Sequence, residues 1–223
     1  MEYGQIAGNT SIDALIHQCF EFISEKDQTA FVKRFNNLRD DEAQCMHTFR
    51  ELIVGGFLGA RGLSVVYEQP LGGRTPDWSI HDSNGTQCIV ELANFHVDKA
   101  TEDKIGRHLQ ARRIWVGWTG SRSDRLYAQI WDKASKYKRL VEQEGVAYVI
   151  ALYGEFTAAV DLEDVRECLF DKEKGLFSLY PEVSGLLFFV LVHSKRYDFT
   201  YIRNPDGARE VDLPCGVFPG GGG

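Results

Sequence analysis

The 223-residue sequence predicts a mixed α/β fold, a sheet with helices packed on it, and three observations carry that expectation. About the first sixty residues repeat their apolar side chains at helical spacing. Between residues 63 and 95 the apolar period drops to two, the mark of strands. Beyond that point, helical segments alternate with strand-length apolar runs, which is how a sheet covered by helices reads in sequence.

Each element can be justified in turn. In residues 11–26, Ile12, Leu15, Ile16, Cys19, Phe20 and Ile23 share one helical face. Residues 28–37 form a second short helix. A third runs over 40–62, with acidic residues at its start and Gly62 as its stop. Residues 63–69, 75–80 and 87–95 read as strands. Helical patterns follow at 99–113 and 123–144, the second ended by Gly145. Then come a buried strand at 146–153, an acidic helix at 161–170, and late strands at 185–193 and 199–203. Residues 1–41 form a helical extension, 42–218 the main domain, and 219–223 a flexible glycine tail.

Composition narrows the function classes. Hydrophobic content of 43% and charged content of 26% are those of a globular chain, and the longest apolar run, GLLFFVLV, is strand-sized. The N-terminus lacks the basic and apolar regions of a secretory signal, so a cytoplasmic protein is expected. Five scattered cysteines without a C-x-x-C pair suggest neither zinc nor a disulfide framework. The net charge of −7 is unevenly spread. Residues 104–140 carry ten basic residues against Asp124 and Asp132, a local +8 that leaves −15 for the remainder. Trp115, Trp118 and Trp131 lie in the same segment. Basic and aromatic residues together fit a nucleic-acid footprint, and fit equally a solvated helix face.

The stretch GGRTPDWSIHDSNGTQCIVELANF reads as a hairpin. A three-residue loop of Ser83, Asn84 and Gly85 would leave Asp82 and Thr86 as the flanking pair. That register gathers Trp78, Ile80, Cys88, Val90 and Leu92 on one apolar face and sets Asp77 opposite Glu91. Opposed carboxylates repel unless something positive sits between them. Two such acids suit a hard divalent cation; on an exposed strand face they would be ordinary charges.

With TPDW, the VEL-A arm and an αβββαβ order over residues 43–153, the sequence resembles the PD-(D/E)XK nuclease superfamily, whose fold is called restriction-endonuclease-like. The resemblance implies magnesium- or manganese-dependent hydrolysis of nucleic acid. It makes Asp77 and Glu91 metal ligands, joined by the main-chain carbonyl of Leu92, and gives Glu51 the place of the acid carried on the preceding helix. One position departs: Ala93 stands where the family has its lysine. Along 123–144 the inward stripe is Leu126, Ile130, Lys133, Tyr137 and Leu140 or Val141, which puts Lys133 on an apolar face. Lys133 is therefore expected to reach Asp77 and Glu91, and otherwise to snorkel along the helix. Arg122, Arg125, Gln129, Lys136 and Tyr137 are the expected nucleic-acid contacts.

The leading expectation is a metal-dependent nuclease acting on DNA. The rival is a degenerate domain that binds nucleic acid or protein without cutting it, which Ala93 and the acidic overall charge favour. The N-terminal helices are a possible homodimer or partner surface.

Overall fold

The computed structural model describes residues 10–38, 40–95, 122–154, 160–171, 174–192 and 196–219. It shows a mixed α/β protein with a seven-stranded sheet. The strands are β1 (Ser64–Tyr67), β2 (Trp78–Asp82), β3 (Gly85–Phe95), β4 (Ala147–Gly154), β5 (Gly185–Val192), β6 (Arg196–Arg203) and β7 (Gly216–Phe218), ordered across the sheet as in the chain. The β3, β4 and β5 strands run parallel; every other neighbouring pair is antiparallel. Among the described residues there are six helices: α1 (Thr10–Phe20), α2 (Glu25–Asn37), α3 (Glu42–Ala60), α4 (Arg122–Glu144), α5 (Leu162–Phe170) and α6 (Leu176–Leu179). None is long and apolar enough to cross a membrane.

The sheet separates two apolar cores. On one face, Trp78, Ile80, Cys88, Val90 and Leu92 pack with Leu15, Phe31, Leu52 and Phe57 from α1, α2 and α3. On the other, Ile89, Ala93 and Phe95 pack with Leu126, Ile130, Ala134 and Tyr137 of α4. Burial of both faces explains why β4 and β5 read as continuous apolar runs rather than alternating ones. Because α1 and α2 supply residues to the first core, residues 10–37 are packed into the sheet domain.

The helix boundaries shift where capping overrides periodicity. Residues 11–26 do not form one helix: α1 ends at Phe20 and α2 starts at Glu25. Ser24 is the reason. Its side chain accepts from the Asp27 amide at 3.2 Å, an N-cap that opens a new helix. The Gln28 amide group then donates to the Phe20 and Ile23 carbonyls at 2.9 and 3.2 Å, tying the two helices together. Downstream, Asp41 caps α3, and Gly62, with φ of 83°, follows its end as the sequence indicated.

The hairpin turn is one residue tighter than expected. Asp82 pairs with Gly85 around Ser83 and Asn84, and Gln87 becomes the extra residue of a bulge between the Ile80–Cys88 and His81–Thr86 pairs. The Asp82 carboxylate accepts from the Asn84 amide at 2.7 Å and closes the shorter loop. Past the bulge the expected register holds, with Trp78 opposite Val90 and Ser79 opposite Ile89. The short β7 and α6 carried no readable period. The helix expected at 99–113 lies outside the described residues.

Candidate active site

Asp77 immediately precedes β2. The Trp78–Val90 pairing, continued by one step, brings it to Glu91. One Asp77 carboxylate oxygen accepts from the Leu92 amide at 2.7 Å, which locks the acid onto β3. Glu91 points toward α4 and is 2% exposed. Its Oε1 receives the Lys133 ammonium at 3.0 Å and the Lys136 ammonium at 2.5 Å. Its Oε2 is buried without a hydrogen-bond partner among the described residues. A buried carboxylate oxygen left so costs roughly 1–3 kcal/mol, and it marks a place where a water or a cation belongs.

The two acids are driven in opposite directions. Burial raises the Asp77 pKa to about 8; the Glu91 and Glu51 charges add to the rise, and the Leu92 amide and Lys133 oppose it. Burial would also raise Glu91, but Lys133 and Lys136 outweigh it and hold Glu91 below its usual range. The pair thus keeps one proton near neutrality, as two close carboxylates with too little positive charge must.

A pH prediction follows. The folded chain retains the Asp77 proton between its ordinary value of 3.8 and about 8, where the unfolded chain has lost it. The Asp77 contribution to stability is therefore full below the ordinary value and is lost as pH rises through about 8. Thermal melts of the metal-free protein across that interval should show the loss, and Asp77→Asn should remove that component. Equal slopes for the two proteins would contradict the assignment.

Glu51 enters from α3 on the opposite side. It is 1% exposed and fully engaged. Its Oε2 accepts from the Tyr67 hydroxyl at 2.6 Å and lies 3.5 Å from Arg34, while its Oε1 faces His47 Nε2 at 3.1 Å. Arg34 also pairs with Glu68 at 2.5 Å. Trp78 donates from its indole to the Glu51 carbonyl at 2.8 Å, fixing this turn of α3 against β2. Glu51 therefore reaches the pair through its field on Asp77. Past Glu91 on β3, Asn94 contacts His47 Nδ1 at 2.5 Å, and its carbonyl accepts from Gln129.

The sequence stripe placed Lys133 on the apolar face of α4; the structure sets it half-buried at the margin of that face, whose centre is Ala134 and Tyr137. Ala93 is 1% exposed and packs in that apolar core, and both ammonium groups on Glu91 come from α4. Lys136, expected to face nucleic acid, shares Glu91 with Lys133. The spacing of three residues in KASKY signals this, since such residues are neighbours on a helix surface. Tyr137 was expected at a nucleic-acid surface and is instead buried. Its hydroxyl donates to the Thr75 carbonyl at 3.3 Å, and burial followed by the neighbouring Glu91 pushes its pKa up. Arg125 lies over the Phe95 ring, 5.5 Å from its centroid. The Arg122 side chain and residues 104–121 of the basic segment lie outside the described residues. Sequence reading missed His47, which stands four residues before Glu51 on one helix face, and Arg34 and Tyr67, which no local pattern connects to it.

Among the described residues no group of three or more His, Cys, Asp or Glu side chains is arranged to hold a metal ion. A site with two carboxylates would take the rest of its shell from main-chain and water oxygens, which is how magnesium is commonly held. The unpartnered Glu91 oxygen and the proton retained on Asp77 both fit a cation at this place. No family model matches the chain, and neither does any curated protein or solved structure.

Proposed function

We propose that the chain is a divalent-metal-dependent nuclease that hydrolyses phosphodiester bonds in DNA, built on a restriction-endonuclease-like core of the PD-(D/E)XK type. The observation that carries this reading is the convergence of Lys133 and Lys136 on Glu91 beside Asp77. It supplies at α4 the positive charge that Ala93 withholds from β3. The succession α3, β1, β2, β3, α4, β4 supports the core assignment.

Asp77, Glu91 and the Leu92 carbonyl would hold Mg2+ or Mn2+. Such an ion polarises a phosphoryl oxygen and makes bound water acidic enough to attack at neutral pH. On binding such an ion Asp77 would release its retained proton to solvent, since a carboxylate must be deprotonated to act as a ligand. Lys133 is placed to orient the attacking water or to stabilise charge that develops on the phosphate. Glu51, held by Arg34, His47 and Tyr67, ties α3 in place and keeps a negative field on Asp77.

The reading is tested by incubating the protein with plasmid and single-stranded DNA in magnesium, manganese or chelator. Cleavage is expected only with metal. Lys133→Met should slow it about 100-fold, the scale of losing one preorganised charge at a reacting phosphate. Full activity in that variant would remove Lys133 from the mechanism.

A second reading draws on a specific observation: Lys136 already neutralises Glu91 and competes with a cation for it. In a non-catalytic domain the two lysines would replace the ion permanently. Calorimetry showing no magnesium or manganese binding, alongside salt-sensitive DNA binding, would select this alternative.

A further inference from the structure

Beside the acidic pair lies a cleft of about 290 Å³, lined by Gly72, Arg74, Lys136, Arg139, Leu140 and Gln143. We propose that it is a phosphate subsite, which binds a phosphate group of the nucleic-acid strand next to the bond being cut. The identity of the strand rests on the nuclease reading; the affinity for phosphate does not.

Charge is the first argument. Arg74 and Arg139 make no ion pair among the described residues, although both line the same cleft. Two guanidiniums without carboxylate partners leave a local positive excess, and planar guanidiniums match phosphate oxygens two at a time. Gln143 adds an amide donor. A strand phosphodiester carries one negative charge and a terminal phosphate about −1.5 to −2 at neutral pH, and two unpaired arginines balance either.

Geometry is the second argument. Leu71 and Arg74 exchange main-chain hydrogen bonds at 2.8 and 2.9 Å, closing a tight turn over Gly72 and Gly73. Both glycines have positive φ, 53° and 78°, as this turn demands. A Cβ on Gly72 would lie 2.7 Å from Leu140 and 2.8 Å from the Glu144 carboxylate, so the bare backbone lets the turn sit against α4. Glu144 is thus an acid at the rim, outnumbered by the two arginines. Tyr137 pins Thr75 to the same helix, so Arg74 and Asp77 are held three residues apart on one fixed segment. Lys136 joins the two places: it lines the cleft while its ammonium rests on Glu91. A phosphate in the cleft would draw Lys136 from Glu91 and free that carboxylate for a cation.

The test is binding of inorganic phosphate at constant ionic strength, followed by NMR or calorimetry, to wild type, to the double variant Arg74→Gln/Arg139→Gln, and to Asp77→Ala. Both arginines are exposed, and Lys136 is left intact because it also neutralises Glu91. Wild type should bind, the double variant roughly tenfold or more weakly, and Asp77→Ala about as well as wild type. A dinucleotide carrying a terminal phosphate should bind better than the same dinucleotide without it. Undiminished phosphate binding by the double variant, or equal binding of the two dinucleotides, would overturn the subsite. Arginine-dependent binding of both phosphate and phosphorylated dinucleotide by a wild type that never cleaves DNA supports the subsite and overturns only the nuclease reading.

Discussion

Asp77→Asn is expected to lower metal-dependent DNA cleavage by about 10³-fold or more, while the variant melts at the same temperature as wild type or higher at pH 8. The two halves of that expectation share one cause. Asp77 sits where burial, Glu91 and Glu51 all disfavour its charge, so that its pKa lies near 8. A neutral amide of the same shape avoids that cost and can still accept from the Leu92 amide. It cannot balance a divalent cation. A thousandfold loss corresponds to about 4 kcal/mol of transition-state stabilisation, within what a correctly held metal contributes. A site that trades stability for chemistry behaves this way, whereas an ordinary buried carboxylate has no activity to lose. Equal cleavage rates for the two proteins would sink the active-site reading of this pair.

Trp78→Ala is expected to have the largest effect on stability, about 3–5 kcal/mol by denaturant titration. Trp78 is 1% exposed and among the largest fully buried side chains. Its ring stacks with Phe31, centroids 5.9 Å apart, and meets Tyr67 at 5.2 Å. Its indole nitrogen also holds the Glu51 carbonyl of α3. Removing it opens a cavity between α2, α3 and β2 and leaves that carbonyl without its indole donor. Gly55 shows how tight the fit is, since a Cβ there would lie 1.9 Å from the Trp78 ring. The loss is a large fraction of the roughly 5–15 kcal/mol that holds a domain together. Because Trp78 also fixes the α3 turn bearing Glu51, the site should loosen with the core. A cost below about 1 kcal/mol would show that the cavity collapses and that this contact does not organise the site.

Much of this was legible locally. Alternation along 78–92 set the hairpin faces, because successive side chains on a strand point to opposite sides and a slip of one would expose the whole apolar set. The same alternation brought Asp77 to Glu91, even though the turn proved shorter and a bulge absorbed the difference at Gln87. Helical spacing put Lys133 in the apolar stripe of α4, where an ammonium needs a negative partner, although Ala134 takes that place in the core and Lys133 stands at its margin. The break between α1 and α2 was not legible, because the apolar period runs across Ser24, whose capping bond to Asp27 appears only in the structure.

What the sequence determined by itself was the order of the elements, the two faces of the hairpin and the placing of two carboxylates side by side. These follow from short-range stereochemistry: the period of a strand, the pitch of a helix and the residues that turn a chain. Only the tertiary structure decided what surrounds those carboxylates. It set Lys136 on Glu91 beside Lys133, enclosed Glu51 within Arg34, His47 and Tyr67, buried Tyr137, and opened the Arg74–Arg139 cleft. Each of these outcomes depends on how two elements far apart in sequence meet across the sheet. A side chain's periodic position gives the face it occupies, but its charge partner and its access to water depend on what packs over that face.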